Sequence, residues 1–262
     1  VLDSVAWTLD DFLPQLEPLG LVREPRPRKF EVQRITLGRK AFNLESAGWL
    51  VARGRLCARY ARIQGAAMDI ATVMAYPTAS PDLLPVFAAE WVVFGDRIHA
   101  FILDVEVCGD HPELVSRLGS VFQDTGDHWR ARLPENRERP KWFSEIAMPW
   151  AVYGSSSVDL LAELREAFND YLHHTVNDFY IPAMGRAEAG ADAASVAAYK
   201  YHHYVNSPGH RLLGVKLGQE ETDELLKDWH FGPARFSGMQ DQCDDRDWPG
   251  VEYPELDQSV NE

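Results

Sequence analysis

Three cysteines, Cys57, Cys108 and Cys243, stand far apart in the 262 residues. They form no CxxC pair and no metal-ligand spacing, which excludes a disulfide framework and a zinc module and points to inert thiols in a reducing compartment. No stretch approaches the roughly 18 apolar residues that cross a bilayer, so no membrane helix is expected. Basic charge is short: 26 Lys and Arg against 40 Asp and Glu leave a net charge of −14. Neutralising phosphates takes a surplus of cations, so a nucleic-acid binder is excluded. There is no GxGxxG after a strand and no GxxxxGK[ST], hence neither a Rossmann site nor a P-loop is indicated. GxSxG and HExxH are absent too. The pairs His173-His174 and His202-His203 lie on expected helices. Adjacent helical residues sit about 100° apart and chelate one ion poorly, so no metal is expected. The first residues, VLDSVAWTLDDFLPQL, are acidic and amphipathic, unlike a secretory signal.

What is present is an ordinary globular composition, 45% hydrophobic and 25% charged. Its middle, Met68 to Val107, holds three apolar, β-branched and aromatic runs: Asp69–Tyr76, Pro85–Phe94 and Arg97–Val107. Each has strand length and composition, and Gly95-Asp96 is a hairpin signal between the last two. Before them, Phe30–Leu37 reads as a strand, and Ala47–Ala52 with Arg55–Gln64 as a hairpin around Arg53-Gly54. A short helix is expected over Asp10–Leu19. After Val107 the period changes. Helices are expected over His111–Gln123, from Val158 to about Tyr180, and over Ala191–Val205, His210–Leu217 and Glu220–His230. Asp124–Arg139 reads as a charged surface segment, and Pro140–Tyr153 as a loop entering a strand. Trp142, Trp150 and Trp229 read as core residues. Strands followed by helices indicate an α+β domain, helices packed on an antiparallel sheet. One domain over residues 1–236 is expected, with an acidic, flexible tail over 237–262.

Charge is uneven along the chain. Eleven basic residues against three acids between Arg23 and Arg62 give a local +8, which leaves −22 on the rest. Either an anionic ligand or acidic partner is served there, or these are solvated faces of early strands. Strand alternation puts Arg59 and Arg62 on opposite faces, so at least one guanidinium should meet a cavity, an edge or an anion. Glu90 and Asp104 fall inside runs that otherwise look buried. An ionised carboxylate there needs a partner, water, a proton or a task.

At these residues the chain resembles a known family. Tyr76-Pro77, then PDLLPVFAAE (Pro81–Glu90), then LDVEV (Leu103–Val107) resemble the "FP/YP", "D-x-P-x-F-G-x-D" and "D-L-x-P" segments of the ferredoxin-dependent bilin reductases. PKWFSEIAMPWAVY resembles the family's "W-G-x-x-F-S" stretch. YKYHHYVNSPGHRLLGVKLGQEETDELLKDWHFG resembles its C-terminal helices. The resemblance runs from Arg55 to Gly232.

It implies an α/β/α sandwich with a central antiparallel sheet. A linear tetrapyrrole, biliverdin or a dihydrobiliverdin, would lie between sheet and C-terminal helices. Two or four electrons would arrive one at a time from an external [2Fe-2S] ferredoxin, with no bound redox cofactor. A monomer in the cytoplasm or plastid stroma is expected. The resemblance puts the family's proton-donor Asp on Glu90, a His, Asn or Asp of the preceding strand on Thr72, the Asp before "P-G-H" on Ser207, and an Arg four residues earlier on His203. Glu90 and His203 are thus the candidate acids, Thr72 and Ser207 ligand contacts, and Asp104 the structural Asp of its strand. Arg59 and Arg62 are candidates for substrate carboxylates within the basic region. Two alternatives stand beside this reading: a reductase of another open-chain tetrapyrrole such as a chlorophyll catabolite, and a non-catalytic bilin carrier.

Overall fold

The β-branched and aromatic runs of the chain's middle bury both of their faces, and the fold follows from what covers each. The computed structural model describes residues 3–24, 32–37, 40–78, 84–133, 138–184, 193–206 and 208–231. Among these, eight strands form one antiparallel sheet: β1 (Leu21–Arg23), β2 (Val32–Leu37), β3 (Lys40–Val51), β4 (Leu56–Gly65), β5 (Met68–Pro77), β6 (Val86–Phe94), β7 (Arg97–Glu106) and β8 (Val152–Ser157). The order is β1-β3-β4-β5-β6-β7-β8, with β2 also paired to β3. The three central runs are β5, β6 and β7. The β6–β7 turn is tight because Gly95 takes a φ of +60° at little steric cost.

One sheet face carries Phe87, Ala89, Trp91, Leu103 and Val105, all buried. Against it pack α1 (Trp7–Leu16), α2 (Pro112–Arg132) and α4 (Leu161–His174); the short helices α3 (Lys141–Ser144) and α5 (Ile181–Ala183) come before and after α4 in the chain. Leu164, Phe168, Tyr171 and Leu172 form the inward stripe of α4 at helical spacing. Phe168 meets Phe87 at 5.5 Å and Trp7 at 5.5 Å between ring centroids, both edge-on. Burying each such ring contributes about 1.5–3 kcal/mol. The opposite face carries Met74, Ala88, Leu44 and Ile63. It meets Val196, Leu213, Leu225 and Leu226 from α6 (Ala193–Asn206), α7 (Pro208–Leu217), and the π-helical turns Glu224–His230 that extend α8 (Gln219–Asp223). Helices cover both faces, so the architecture is the α/β/α sandwich expected.

Several boundaries differ from the sequence reading. The second helix runs on to Arg132 through the stretch read as charged surface, because Gly126 and Trp129 extend its buried stripe. A side chain at position 126 would meet Trp150 backbone atoms at 2.5 and 2.9 Å, so glycine permits the helix to lie against that segment. Ser155 and Ser156 belong to β8. Ser157 alone caps the next turn, its Oγ accepting the Asp159 N–H. The helix after Leu161 passes into a π-helical stretch at Thr175–Tyr180. Cys57 and Cys108 are buried, and burial pushes the Cys57 thiol up, which keeps it unreactive. Cys243, Ser207 and the acidic tail lie outside the described residues.

Candidate functional site

Between the sheet and the C-terminal helices lies a cavity of about 240 Å³. Its floor is the even-numbered face of β5 and β6 with the odd-numbered face of β4. The register makes one row of it: Ala61 pairs with Thr72, Thr72 with Glu90, and Glu90 with Ile102. Thr72 and Glu90 are therefore direct cross-strand neighbours, with Cβ atoms about 5 Å apart. Small side chains at Ala61 and Ala88 leave room above this row. Otherwise the wall is almost wholly apolar: of 19 lining residues, only Thr72, Glu90, His203 and His230 carry strongly polar groups, besides the Trp142 indole.

Glu90 makes no hydrogen bond among the described residues. It is half-buried, and it lines the cavity. Burial pushes its carboxyl up from the ordinary range, and His203 across the cavity pulls it partly back. A carboxyl kept protonated in an apolar pocket is a poised acid.

His203 and Tyr199 stand one turn apart on α6, their rings 4.6 Å apart. Trp142 stands edge-on to His203 at 6.0 Å, and Phe231 stacks on it at 6.0 Å. The adjacent histidines diverge as helix geometry requires. His202 places Nε2 2.8 Å from the Trp142 carbonyl, while His203 faces the cavity. His230, at the end of the last helical segment, is held down to about 3 by burial, with Arg59 and His203 adding to the effect, so its ring is neutral near pH 7.

The structure thus brings Glu90, Thr72 and His203 together on one cavity. Arg59, Arg62 and Asp104 are not among its lining residues, and each is engaged elsewhere. Arg62 is on the opposite sheet face. It donates from Nε to Asp69 Oδ1 at 2.8 Å and from a terminal nitrogen to Asp3 at 2.6 Å. Asp69 also accepts the Val5 N–H at 3.0 Å, so this cluster ties the N-terminal segment to the sheet. Arg59 is on the cavity face but beyond the cavity, almost fully buried and paired with Glu24. Its Nε donates to the Trp229 carbonyl at 3.1 Å, and the Trp229 ring lies 4.9 Å from the guanidinium. It thereby fixes the segment that presents His230 and Phe231. Asp104 accepts the N–H groups of Val105 at 2.8 Å and Met148 at 3.0 Å, which anchors the loop after Trp142. Arg55 donates to the Ala183 carbonyl at 2.7 Å, so three of the eleven early cations work inside the fold.

Sequence reasoning missed His230 and Glu106, and read Trp142 as core. Glu106 carried the signal that singled out Asp104, an acid in an apolar strand two residues further on. His230 carried none, since a histidine ending an amphipathic helix usually faces water.

The comparisons with known proteins agree with this architecture. A family model described as ferredoxin-dependent bilin reductase matches residues 15–231. No curated protein sequence matches the chain. Among solved structures the fold is similar to that of phytochromobilin synthase from tomato in complex with biliverdin, with a TM-score of 0.70 at 16% identity, covering 89% of this chain and 84% of that one. With the family model spanning most of the chain, and with the sandwich fold and its sheet-and-helix cavity in place, the chain belongs to the ferredoxin-dependent bilin reductase family.

Proposed function

We propose that this protein reduces an open-chain tetrapyrrole, biliverdin or a dihydrobiliverdin, to a phytobilin, with electrons taken singly from ferredoxin in the cytoplasm or plastid stroma. The observation that carries this is Glu90: a carboxyl with no hydrogen-bond partner among the described residues, pushed toward its protonated form, in an otherwise apolar cavity. The similar tomato enzyme's structure was solved with biliverdin.

In this reading each electron makes the bilin more basic, and the protein supplies the matching proton. Each reduced double bond takes two electrons and two protons. Glu90 gives a proton from the sheet side, and His203 gives one from the helix side. The Thr72 hydroxyl, beside Glu90, holds a pyrrole N–H or lactam carbonyl by a hydrogen bond and cannot itself act as the acid at neutral pH. The aliphatic wall keeps water from a half-reduced ligand. His230, neutral in its buried setting, offers a lone pair or an N–H without adding charge.

A second substrate within the same class is favoured by one observation: the lining contains no Lys or Arg among the described residues. A tetrapyrrole with fewer free carboxylates than biliverdin, such as a chlorophyll-derived open chain, suits that wall. Affinities for the two ligands, read from their absorption bands, separate the readings.

The direct test is anaerobic. Biliverdin added to the protein should give a shifted bilin band, and reduced ferredoxin should convert it to a new product band. A bound band that ferredoxin leaves unchanged would mean a bilin carrier and not a reductase.

A further inference from the structure

Behind His203, outside the cavity lining, sits a second carboxylate. Glu106 ends β7 on the cavity-side face, 1% exposed, and neither of its oxygens has a hydrogen bond of normal geometry among the described residues. A buried carboxylate in that state is costly unless a cation or a proton meets it. Among the described residues the nearest basic atom is Nε2 of His203, 3.5 Å from Oε2, and that nitrogen is itself buried and without a hydrogen bond. Two groups without a hydrogen bond thus face each other within ion-pair distance.

We propose that Glu106 is a positioning residue that holds His203 protonated and turned toward the ligand, giving the cavity a second proton store opposite Glu90. This deepens the reductase reading and rests on it.

The surrounding groups leave His203 as the cation for Glu106. Asp104, two residues earlier on the same face, is raised well above its ordinary range by burial and by Glu106 itself, and its oxygens accept two backbone N–H groups. Tyr199 is raised by burial, then by the charge of Glu106 and the approach of its hydroxyl to that carboxylate, so its phenol keeps its proton and is a neutral neighbour of Glu106, not its cation. His202 is turned to the Trp142 carbonyl. His230 is neutral, with the charge of Arg59 beyond it. Glu90 faces His203 from across the cavity, and burial favours its neutral form. Three aromatic rings, Tyr199, Trp142 and Phe231, fix the plane of the imidazole, so the carboxylate sets charge while the rings set orientation.

The step balances. The ligand takes one electron from the iron-sulfur donor and becomes a radical anion. His203 gives it one proton, leaving a neutral radical and a neutral imidazole. Glu106 is then an unpaired buried anion, which drives His203 to recover a proton from water before the next electron.

The test uses the full chain and the isosteric variant Glu106→Gln. The His203 ring signal, assigned by its loss in His203→Gln, is followed by NMR through a pH titration without ligand. The ring should release its proton at a pH lower by one unit or more in E106Q than in the parent. Turnover of biliverdin with reduced ferredoxin should fall at least tenfold at pH 8 and clearly less at pH 6, where a higher proton concentration makes up part of what the carboxylate supplied. In the H203Q background, E106Q should add no further loss. A purely structural role would lower turnover equally at every pH and weaken the bilin band. Should E106Q fail to fold, Glu106→Asp, which draws the charge back by one methylene, must move the ring titration in the same direction. An unmoved ring titration overturns the proposal, whatever the substrate. A moved titration in a protein that never reduces biliverdin overturns the substrate reading and leaves the pair standing.

Discussion

Replacing Glu24 by Gln tests the assignment of Arg59 to the fold and not to the ligand. The Arg59 guanidinium is 1% exposed and its partner Glu24 is 6% exposed, so water screens neither charge. Its other contacts are neutral: the carbonyls of Trp229 at 3.1 Å and Ala58 at 3.2 Å, and the Trp229 and Tyr76 rings at 4.9 and 6.0 Å. Glycine at position 48 makes the room, since a Cβ there would lie 2.7 Å from the guanidinium and 3.1 Å from the Glu24 carboxylate. An exposed pair of this kind would contribute about 0–1 kcal/mol. Breaking a buried one costs about 3–5 kcal/mol, because the remaining charge is left uncompensated. The Gln amide still accepts one hydrogen bond, so the lower figure applies, about 3 kcal/mol of a total near 5–15 kcal/mol. At about 2–4 °C per kcal/mol for a domain of this size, the melting point should drop by about 6–12 °C. Urea unfolding of parent and variant measures the difference directly. Bilin affinity should change little beyond this loosening. A loss below about 1 kcal/mol, with tighter bilin binding, would mean instead that Arg59 is free to turn to a ligand carboxylate.

Further outcomes follow from the same structure. The His230 ring is held at about 3 when folded, against 6.5 for the free side chain, so unfolding takes up a proton between those values. Its contribution to stability is full above pH 6.5 and is lost as pH falls, at up to about 1.4 kcal/mol per pH unit. His230→Gln should therefore remove this part of the pH dependence, so that the parent-minus-variant stability difference falls as pH drops from 6.5 to 4, read by urea melts at each pH; a difference independent of pH contradicts the assignment. Gly126→Ala gains about 1 kcal/mol of helix propensity. Its Cβ would meet the Trp150 carbonyl oxygen at 2.5 Å, a backbone atom that cannot swing aside. Overpacking of about 1–3 kcal/mol should win, and a more stable variant would show that α2 does not press on this segment. Thr72→Val keeps shape and removes the hydroxyl, so bilin affinity should fall by about 1 kcal/mol in an absorbance titration. Unchanged affinity removes Thr72 from the ligand contacts.

The meander was legible because its signals are local. β-branched runs fix β5, β6 and β7, and Gly95 fixes the turn between the last two. Alternation placed Arg59 and Arg62 on opposite faces correctly, but their partners depend on the fold: Glu24 is 35 residues from Arg59, and Arg62 is shared between Asp69 on the next strand and Asp3, 59 residues away. Strand periodicity alone names neither the remote acids nor the cross-strand one, so both cations stood as ligand candidates in sequence. Glu90 and Thr72 were each singled out, yet their facing each other depends on the β5–β6 register, which the long connection between those strands does not set. The full length of α2 was hidden because Gly126 looks like a helix breaker in sequence and acts as a contact in space. The π-helical turns at Thr175–Tyr180 and Glu224–His230 have no residue signature, although the second of them delivers His230 to the cavity.

The proposed proton donor to a bound, reduced tetrapyrrole is Glu90. Glu90→Gln keeps the size and a hydrogen bond and removes the proton. With biliverdin and reduced ferredoxin under anaerobic conditions, the variant should hold the bilin with affinity within about threefold of the parent, while single-turnover reduction slows at least about 100-fold, the scale of a lost general acid. Reduction at the parent's rate, with binding intact, would show that Glu90 does not give the proton.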